Sequence, residues 1–390
     1  MPLSAALLYP ICDRLVELPT GLAAGPQANP DLEQGRRGSA SHGCRPATDQ
    51  STTSVQIEEL RRRRLRSRPV AATMIPVVRA VGIWQFGGPE VLQIVELPEP
   101  TPRACEICVR VIASTVNPAD TGLRCGQFAG QLGDTQPPYV GGLEFAGVIE
   151  AVGPGSDWSV GDVVAALTSP FPGGRGSHAE RVVVHARAAT AVPDGIGLEA
   201  AATVPMNGMT ARISLDTLGL AAGATVAITG AAGAVGAYAT ELAHAEGLRV
   251  IAVASREDAS WLEELGADAV VERGPEAAED IRRVAPSGVD GLIDAALVGE
   301  PAFAAVADGG VFIVLREFSV AAPRGIRVER VSVRTHGLEQ TKLERLMQMA
   351  TTGQLTPRVS QTYAPEAAAE AHRHVERPGT RGRAVLRFEG

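Results

Sequence analysis

The segment from Thr225 to Gly236 constrains the fold more than any other part of the chain. It reads Thr-Val-Ala-Ile-Thr-Gly-Ala-Ala-Gly-Ala-Val-Gly, a short apolar strand followed by a turn of small residues. A dinucleotide places its pyrophosphate against bare main-chain N–H groups at a helix N-terminus, which requires a turn nearly free of side chains. We therefore predict a dinucleotide site that consists of Gly230, Ala231, Ala232, Gly233, Ala234, Val235 and Gly236.

The sequence after this turn repeats the same alternation of strand and helix. Hydrophobic spacing predicts helices over 234–246, 257–265 and 275–285, a further helix from about Pro301, and strands over 249–254, 269–271, 291–294 and 311–315. Such alternation is typical of a doubly wound parallel sheet. Because Ala231 stands where the GxGxxG pattern has its first glycine, a Gly/Ala-rich turn in another α/β fold remains the alternative.

Composition limits the partners and the compartment. The 390 residues leave room for two domains, and a net charge of −8 argues against nucleic acid as the main partner. The uncharged stretch 217–240 is long enough to span a bilayer, but it is rich in small residues and contains the nucleotide turn, so we predict no membrane segment. The five cysteines, including the lone pair Cys105 and Cys108, are irregularly spaced, which favours reduced thiols in the cytoplasm.

The first 73 residues differ in kind from the rest. They mix proline, glycine, serine and glutamine with short apolar pieces and show no sustained period, so we predict a disordered N-terminal extension. The basic run 58–66 is interpreted as a solvated linker or as a short helix for an acidic partner or membrane surface. Patterned sequence begins at Met74, which makes that residue an alternative start of the chain.

Residues 77–193 have a different pattern, with short strands broken by glycine and proline. The predicted strands are 80–84, 91–96, 106–113, 144–151, 162–166 and 179–184. We predict a β-rich catalytic domain over 74–198, completed by 337–390, and a dinucleotide-binding domain over 199–336 inserted between these two segments.

Several short motifs appear in a recognisable order. They are Gly87-Gly88-Pro89-Glu90-Val91-Leu92, Val116-Asn117-Pro118-Ala119-Asp120, Gly142-Leu143-Glu144-Phe145-Ala146-Gly147-Val148, Gly161-Asp162-Val163-Val164, Leu265-Gly266-Ala267-Asp268 and Gly382-Arg383-Ala384-Val385-Leu386. With the nucleotide turn they resemble the medium-chain dehydrogenase/reductase superfamily over 74–390. This resemblance implies an α/β protein with a GroES-like β-rich catalytic domain, a doubly wound Rossmann domain, and assembly as a homodimer.

The positions that hold catalytic zinc in alcohol dehydrogenases of this superfamily carry other residues here. They correspond to Asn117, Leu143 and Met206, and none of these offers the thiolate, imidazole or carboxylate that zinc prefers. Ala119 stands where those enzymes have the hydroxyl that relays the proton of the alcohol. The resemblance therefore narrows to the zinc-free quinone oxidoreductase-like (zeta-crystallin-like) branch, and we predict no metal site.

Members of that branch transfer hydride from NADPH to quinones or to α,β-unsaturated carbonyl compounds. A conjugated carbonyl is already electrophilic and needs placement more than a Lewis acid, which agrees with the loss of zinc ligands. We expect such a reductase. The alternatives are a non-catalytic NADPH-binding redox sensor or adaptor, and an enoyl reductase of lipid or polyketide synthesis.

The end of the second nucleotide-binding strand bears on the choice of cofactor. NAD-specific sites usually have a carboxylate there for the ribose 2′-hydroxyl, whereas this strand ends at Ser255 and Arg256. Arg256 is able to pair with a 2′-phosphate, so we predict NADPH as the cofactor. Ser255 also fits a helix capping box with Asp258, in which its hydroxyl would accept a helix N–H.

Three further residues are assigned through the resemblance. Asn117 lies where zinc-free relatives have an amide near the nicotinamide or the substrate carbonyl, and Thr210 where they have a threonine beside the nicotinamide ring. Arg383 stands at the position of a lysine that reaches the cofactor; a basic surface residue is the alternative. Gly122 replaces a tyrosine found near the pocket of some quinone reductases, so no general acid is predicted.

Overall fold

Separate sheets form in the two patterned regions of the chain. The computed structural model describes residues 76–171, 173 and 175–389. Its strands are β1 Val77–Ile83, β2 Gln93–Pro98, β3 Glu106–Thr115, β4 Tyr139–Val140, β5 Glu144–Val152, β6 Val163–Leu167, β7 Arg181–His185, β8 Ala189–Ala191, β9 Thr225–Thr229, β10 Arg249–Ala254, β11 Ala269–Glu272, β12 Val289–Asp294, β13 Val306–Val314, β14 Arg327–Arg330, β15 Val359–Tyr363 and β16 Arg383–Arg387. Its α-helices are α1 Pro118–Arg124, α2 Leu198–Ala201, α3 Val204–Leu218, α4 Ala234–Ala245, α5 Ala259–Glu264, α6 Ala277–Val284, α7 Gln340–Thr351 and α8 Ala368–Glu376.

The six strands from β9 to β14 form one parallel sheet. Their order is β11-β10-β9-β12-β13-β14, so the chain moves outward from β9 in one direction and then returns to build the other half. This is the order of a doubly wound nucleotide-binding sheet, and it confirms the predicted fold class. The order reverses between β9 and β12, where ligands bind in such sheets.

The sheet is apolar on both faces because helices cover both. One cluster of buried side chains joins β9 and β10 to α3, α4 and α7, and it includes Ile228, Met209 and Leu346. A second cluster on the opposite face joins Ile251 and Phe312 to α6 and the segment before β13. Parallel strands buried on both faces read as continuous apolar runs, which is the pattern seen over 250–254.

The helix predicted from about Pro301 is present as a short 3₁₀ helix and not as an α-helix. Residues Glu300–Ala305 form a short 3₁₀ helix, and β13 already begins at Val306. Phe303 in this segment packs edge to face against Phe312, with ring centroids 4.8 Å apart. The strand therefore begins earlier than predicted and leaves too few residues for several α-helical turns.

The β-rich region forms a larger mixed sheet and a small one. The larger sheet has the order β15-β16-β3-β5-β6-β8, with β7 also paired to β3, and the small sheet has the order β2-β1-β4. Strand β16 runs antiparallel to β3, with Val385 opposite Thr115. Strands β15 and β16, which follow the parallel sheet in sequence, thus complete the larger sheet, whose other strands precede the parallel sheet.

Several expectations concern residues outside this description. The predicted disorder of 1–73, the basic run 58–66 and the alternative start at Met74 all lie outside the described residues. Within the described part of the chain, no helix combines the length and the apolar character needed to cross a bilayer. The uncharged stretch 217–240 contains the end of α3, all of β9, the nucleotide turn and half of α4.

Candidate functional site

The nucleotide turn has a geometry that only glycine permits at two positions. Gly230 has a φ of +62°, and a Cβ there would lie 3.2 Å from the main-chain nitrogen of Ala296. A Cβ on Gly236 would lie 2.3 Å from the carbonyl oxygen of Gly230, so α4 packs closer to the turn than any side chain would allow. The turn is consequently narrow and bare, as phosphate binding requires.

Helix α4 points its N-terminus at the point where the sheet order reverses. Gly233 precedes the helix, and no described side chain caps its first turn. The first main-chain N–H groups of such a helix are free to bind an anion, and the helix dipole favours negative charge there. The residues present therefore fit the pyrophosphate of a dinucleotide.

Asp294 fixes the neighbouring strand end beside the turn. Its carboxylate accepts hydrogen bonds from Thr229 Oγ1 at 2.6 Å and from the main-chain N–H groups of Val298 and Gly299 at 2.9 and 2.8 Å. The Thr229 hydroxyl in turn accepts from the N–H of Ala296 at 3.0 Å. Asp294 was not predicted as a functional residue, although a carboxylate at the end of an apolar strand was the signal for it.

Arg383 reaches the turn from the other sheet. Its side chain is only 7% exposed, which excludes the surface alternative, and it lines one cavity together with Gly233 and Ala234. Its Nη2 donates to the carbonyl oxygen of Val116 at 2.5 Å, while its Nε has no partner among the described residues. Burial lowers the pKa of this guanidinium, and the nearby Glu144 carboxylate opposes that effect.

Glu144 is the buried carboxylate around which the predicted residues gather. Its side chain is fully buried and accepts from Thr115 Oγ1 at 2.6 Å, Asn207 Nδ2 at 3.0 Å and the main-chain N–H of Met206 at 2.7 Å. Burial raises the pKa of Glu144, and the charge of Arg383 partly offsets this. The sequence analysis included Glu144 in a motif without a role; the signal was a carboxylate within an apolar run.

Asn117 belongs to the same network. It is 3% exposed and precedes α1, where its main-chain N–H donates to Asp120 Oδ2 at 2.7 Å. Its Nδ2 donates to Thr115 Oγ1 at 3.0 Å and to Glu144 Oε1 at 3.3 Å. Both hydrogens of the amide are therefore engaged, so a hydrogen bond to a carbonyl substrate requires one of these partners to be given up.

The other two zinc-equivalent positions lie close to Asn117 and offer no ligand. Leu143 is a buried apolar side chain, and Met206 contributes its main-chain N–H to Glu144. Among the described residues, no group of three or more histidine, cysteine, aspartate or glutamate side chains is arranged to hold a metal. Cys108 is a buried residue of β3, whereas Cys105 is exposed.

Thr210 lies one turn further along α3. Its hydroxyl donates to the carbonyl oxygen of Met206 at 2.7 Å, so this side chain is left able to accept a hydrogen bond but not to donate another. Thr210 is linked to Glu144 through Met206, whose carbonyl oxygen accepts from Thr210 and whose N–H donates to Glu144. Its contact with a nicotinamide ring stays a prediction.

The residues at the end of β10 are arranged differently from the predicted capping box. Ser255 donates its hydroxyl to Asp258 Oδ2 at 2.5 Å, instead of accepting a helix N–H. Arg256 is 84% exposed and pairs with Glu272 Oε2 at 3.0 Å at the end of β11. The Ser255 hydroxyl thus acts as a donor to this carboxylate and caps no helix N–H, and the 2′-phosphate role of Arg256 stays a prediction.

A phenylalanine occupies the space beside Gly122. A Cβ on Gly122 would lie 2.6 Å from Cε2 of Phe128, whose ring meets that of Phe171 edge to face at 5.5 Å. Arg334, which follows β14, donates to Gln131 Oε1 at 2.9 Å from the other side. The position that carries a tyrosine in some quinone reductases therefore borders the Phe128 ring and Gln127 Oε1, which would lie 2.8 Å from the same Cβ.

Two sequence families match the chain. The alcohol dehydrogenase GroES-like domain matches residues 103–194, and the zinc-binding dehydrogenase family matches residues 265–386. The first match covers β3 to β8, so it supports the GroES-like part of the predicted fold. The second begins within the parallel sheet and ends in β16.

Individual relatives agree with these matches. A zinc-type alcohol dehydrogenase-like protein of Staphylococcus aureus is 35% identical over 189 residues, covering 46% of this chain and 54% of the relative. The chain thus spans about half the length of such relatives. Human quinone oxidoreductase is 29% identical over 335 residues, covering 81% of this chain and 99% of that protein. A mycobacterial protein solved in complex with NADPH superposes with a TM-score of 0.70 at 28% identity, covering 80% of this chain and all of that one.

Proposed function

Since this chain belongs to the medium-chain dehydrogenase/reductase superfamily, we propose that it is an NADPH-dependent oxidoreductase that transfers hydride to a quinone or an α,β-unsaturated carbonyl compound without zinc. The observation that carries the proposal is the juxtaposition of the bare nucleotide turn with the buried guanidinium of Arg383. NADPH is supported by the relative solved with that nucleotide, and the acceptor class by the relative named quinone oxidoreductase.

The nucleotide turn and the arginine divide the work of holding the cofactor. The N–H groups at the start of α4 bind the pyrophosphate, and the unpartnered Nε of Arg383 adds a charged donor in the same cavity. Gly230 and Gly236 keep the main chain accessible. When bound there, NADPH supplies the hydride.

Glu144 positions the groups that would surround the reacting carbon. It joins β5 to the first turn of α3 and holds the amide of Asn117 in place. A fixed arrangement of this kind lowers the entropic cost of aligning two reactants. A hydrogen-bond donor stabilises the negative charge that develops on the acceptor oxygen. The Asn117 amide supplies such a donor once it gives up its hydrogen bond to Thr115 or Glu144.

The absence of a ligand set at Asn117, Leu143 and Met206 supports zinc-independent chemistry. Alcohol oxidation gains from a Lewis acid that stabilises an alkoxide, whereas a quinone or enone already has an electrophilic carbon. The apolar rings near Gly122 suit a flat, uncharged acceptor. We propose that solvent supplies the proton, because the residue at position 122 has no acidic hydrogen.

An acceptor panel tests this function. NADPH oxidation is followed at fixed protein concentration with a benzoquinone, a larger ortho-quinone and an enone, with and without a chelator, and metal content is measured on the same sample. We expect turnover with at least one acceptor, unchanged by the chelator. Tight NADPH binding without turnover on any acceptor would instead favour the non-catalytic sensor or adaptor, and loss of turnover on chelation would contradict the zinc-free mechanism.

We also propose that the protein acts in the cytoplasm as a homodimer on a small-molecule substrate, with neither nucleic acid nor membrane as partner. The supports are the superfamily resemblance and the net charge of −8. Sedimentation at micromolar concentration tests the assembly, and a mass of about one chain would contradict it.

A further inference from the structure

Three arginines from the start of β16 and from just before β15 face the nucleotide-binding side of the parallel sheet. Arg383 is the first residue of β16 and Arg381 lies two residues before it, while Arg358 immediately precedes β15, the neighbour of β16 in the sheet. Arg383 is bound to Val116, and Arg381 pairs with Asp258 Oδ1. Arg383 and Arg358 have no carboxylate within ion-pair distance among the described residues, and of these two Arg383 is already held by the carbonyl oxygen of Val116.

Arg358 is nevertheless held in a defined place. Its guanidinium carbon lies 3.8 Å from the centroid of the Trp261 indole on α5, which is a close cation–π contact. Its Nη1 is buried and has no hydrogen-bond partner among the described residues. The same side chain lines a cavity with Ala232 and Gly233 of the nucleotide turn. A stacked guanidinium with an unsatisfied buried N–H beside a phosphate-binding turn is preorganised for an anion.

The location of this anion site follows from the elements around it. Trp261 lies in the helix that follows β10, and the ribose of the adenosine half binds at the end of that strand. Ser255 at this end is bonded to Asp258, whose side chain is 8% exposed and is neutralised by Arg381. Arg358 therefore adds a second positive charge beside this ion pair. Burial and the neighbouring charge of Arg381 lower its pKa, and the charges of Asp258 and Glu241 oppose that effect.

Arg256 is less suited to the same task. It is 84% exposed, and its guanidinium is paired with Glu272. A phosphate would have to displace that carboxylate and order a solvent-exposed side chain, whereas Arg358 is already ordered by Trp261. Resting on the proposed use of NADPH, we propose that Arg358, and not Arg256, binds the 2′-phosphate and gives the site its preference for NADP(H) over NAD(H).

Calorimetric titration of the intact chain with NADP⁺ and NAD⁺ tests the inference without relying on turnover. Arg358→Gln should weaken NADP⁺ binding about 10- to 100-fold and change NAD⁺ binding less than about 2-fold, since charged hydrogen bonds contribute on this scale. Arg256→Gln is the matched control and should leave both affinities nearly unchanged. Titration with 2′,5′-ADP and 5′-ADP should reproduce the same selective loss on the adenosine half alone.

The possible outcomes separate this inference from the function on which it rests. Equal losses for NADP⁺ and NAD⁺ in Arg358→Gln would assign Arg358 to the pyrophosphate and overturn the inference, as would a selective loss in Arg256→Gln. A wild-type chain that binds neither dinucleotide would overturn the proposed function itself. Should Arg358→Gln lower the melting temperature markedly, Arg358→Lys keeps the charge without the forked donors, and a partial selective loss is expected.

Discussion

The Glu144 carboxylate accepts a hydrogen bond at 2.7 Å from the main-chain N–H of Met206, 62 residues further along the chain. This contact joins the larger mixed sheet to the first turn of α3, and α3 packs on the parallel sheet through the cluster that contains Ile228. It is made by a fully buried carboxylate whose partners are all donors. The two halves of the site therefore depend on one side chain for their relative position.

Replacing that carboxylate should destabilise the fold strongly. Glu144→Gln puts an amide N–H opposite groups that are themselves donors, and leaves the buried Arg383 without its nearest anion. We expect the free energy of unfolding to fall by about 3 kcal/mol. Urea unfolding followed by circular dichroism measures this change.

The matched control is Glu150, a carboxylate that is 32% exposed and pairs with Arg110 and Arg181. Glu150→Gln should cost less than about 1 kcal/mol, because partly exposed ion pairs are screened by solvent. Similar losses for the two variants would show that burial of Glu144 is not what makes its contacts important.

His372 should make the protein less stable in mild acid. This side chain is 2% exposed, and burial lowers its pKa well below the ordinary value of 6.5, with His178 and Arg124 adding to the effect. Below pH 6.5 the unfolded chain binds a proton that the folded chain does not, so this contribution to stability is present above pH 6.5 and is lost as the pH falls. The loss should approach about 1.4 kcal/mol per pH unit.

Unfolding curves between pH 5 and 8 measure that dependence. His372→Leu should flatten the slope below pH 6.5, because no proton uptake on unfolding remains at this position. His244→Gln, a substitution of an exposed histidine on α4, is the control and should keep the wild-type slope. An unchanged slope in His372→Leu would assign the acid sensitivity to other groups.

Gly236→Ala should damage the nucleotide turn. The added Cβ would lie 2.3 Å from the Gly230 carbonyl oxygen and 2.6 Å from Cα of Ala231, and neither main-chain atom has a flexible side chain to move. We expect a loss of about 1–3 kcal/mol in stability and at least a tenfold loss in NADPH affinity. Thermal unfolding and fluorescence titration measure the two effects.

Gly130→Ala serves as the control because a Cβ there would meet nothing within 4 Å. It should leave both melting temperature and NADPH affinity close to wild type. A Gly236→Ala protein that binds NADPH normally would mean that the turn adapts to a wider separation from α4, contrary to its packing.

Cys108 should resist thiol reagents that modify Cys105. Burial, with the charge of Glu150, raises the pKa of Cys108 to about 11, so roughly one molecule in a thousand carries its thiolate at pH 8. Cys105 is exposed on the surface. Peptide mapping after brief alkylation should find Cys105 modified and Cys108 intact, and unfolding in urea should make them react alike. Rapid labelling of Cys108 in the folded protein would contradict its burial within β3.

Local patterns predicted the parallel sheet well because its strands are short apolar runs between amphipathic helices. The strand 249–254 was predicted at its observed bounds. The nucleotide turn was recognisable from small residues alone, since its requirement is the absence of side chains. The short 3₁₀ helix after Pro301 was not recognisable from local pattern, because the early start of β13 that limits its length depends on pairing with β12.

The polar contacts of the site were much harder to predict. Glu144 meets Met206 and Asn207, and Arg358 meets Trp261, only because separate elements pack together. Ser255 matched a capping box in spacing, yet its hydroxyl bonds to the Asp258 carboxylate. Sequence spacing describes neighbours along one element, whereas these partners are chosen by tertiary packing.

The antiparallel pairing of β16 with β3 has a consequence for how the chain matures on the ribosome. Val385 lies opposite Thr115, and the whole parallel sheet is synthesised between them. The parallel sheet is thus able to fold before β16 has been synthesised, while residues Ala113–Thr115 of β3 are still unpaired on that side. A pause in translation after Arg330 would leave this strand edge free to pair with other nascent chains, which is an aggregation risk during biosynthesis.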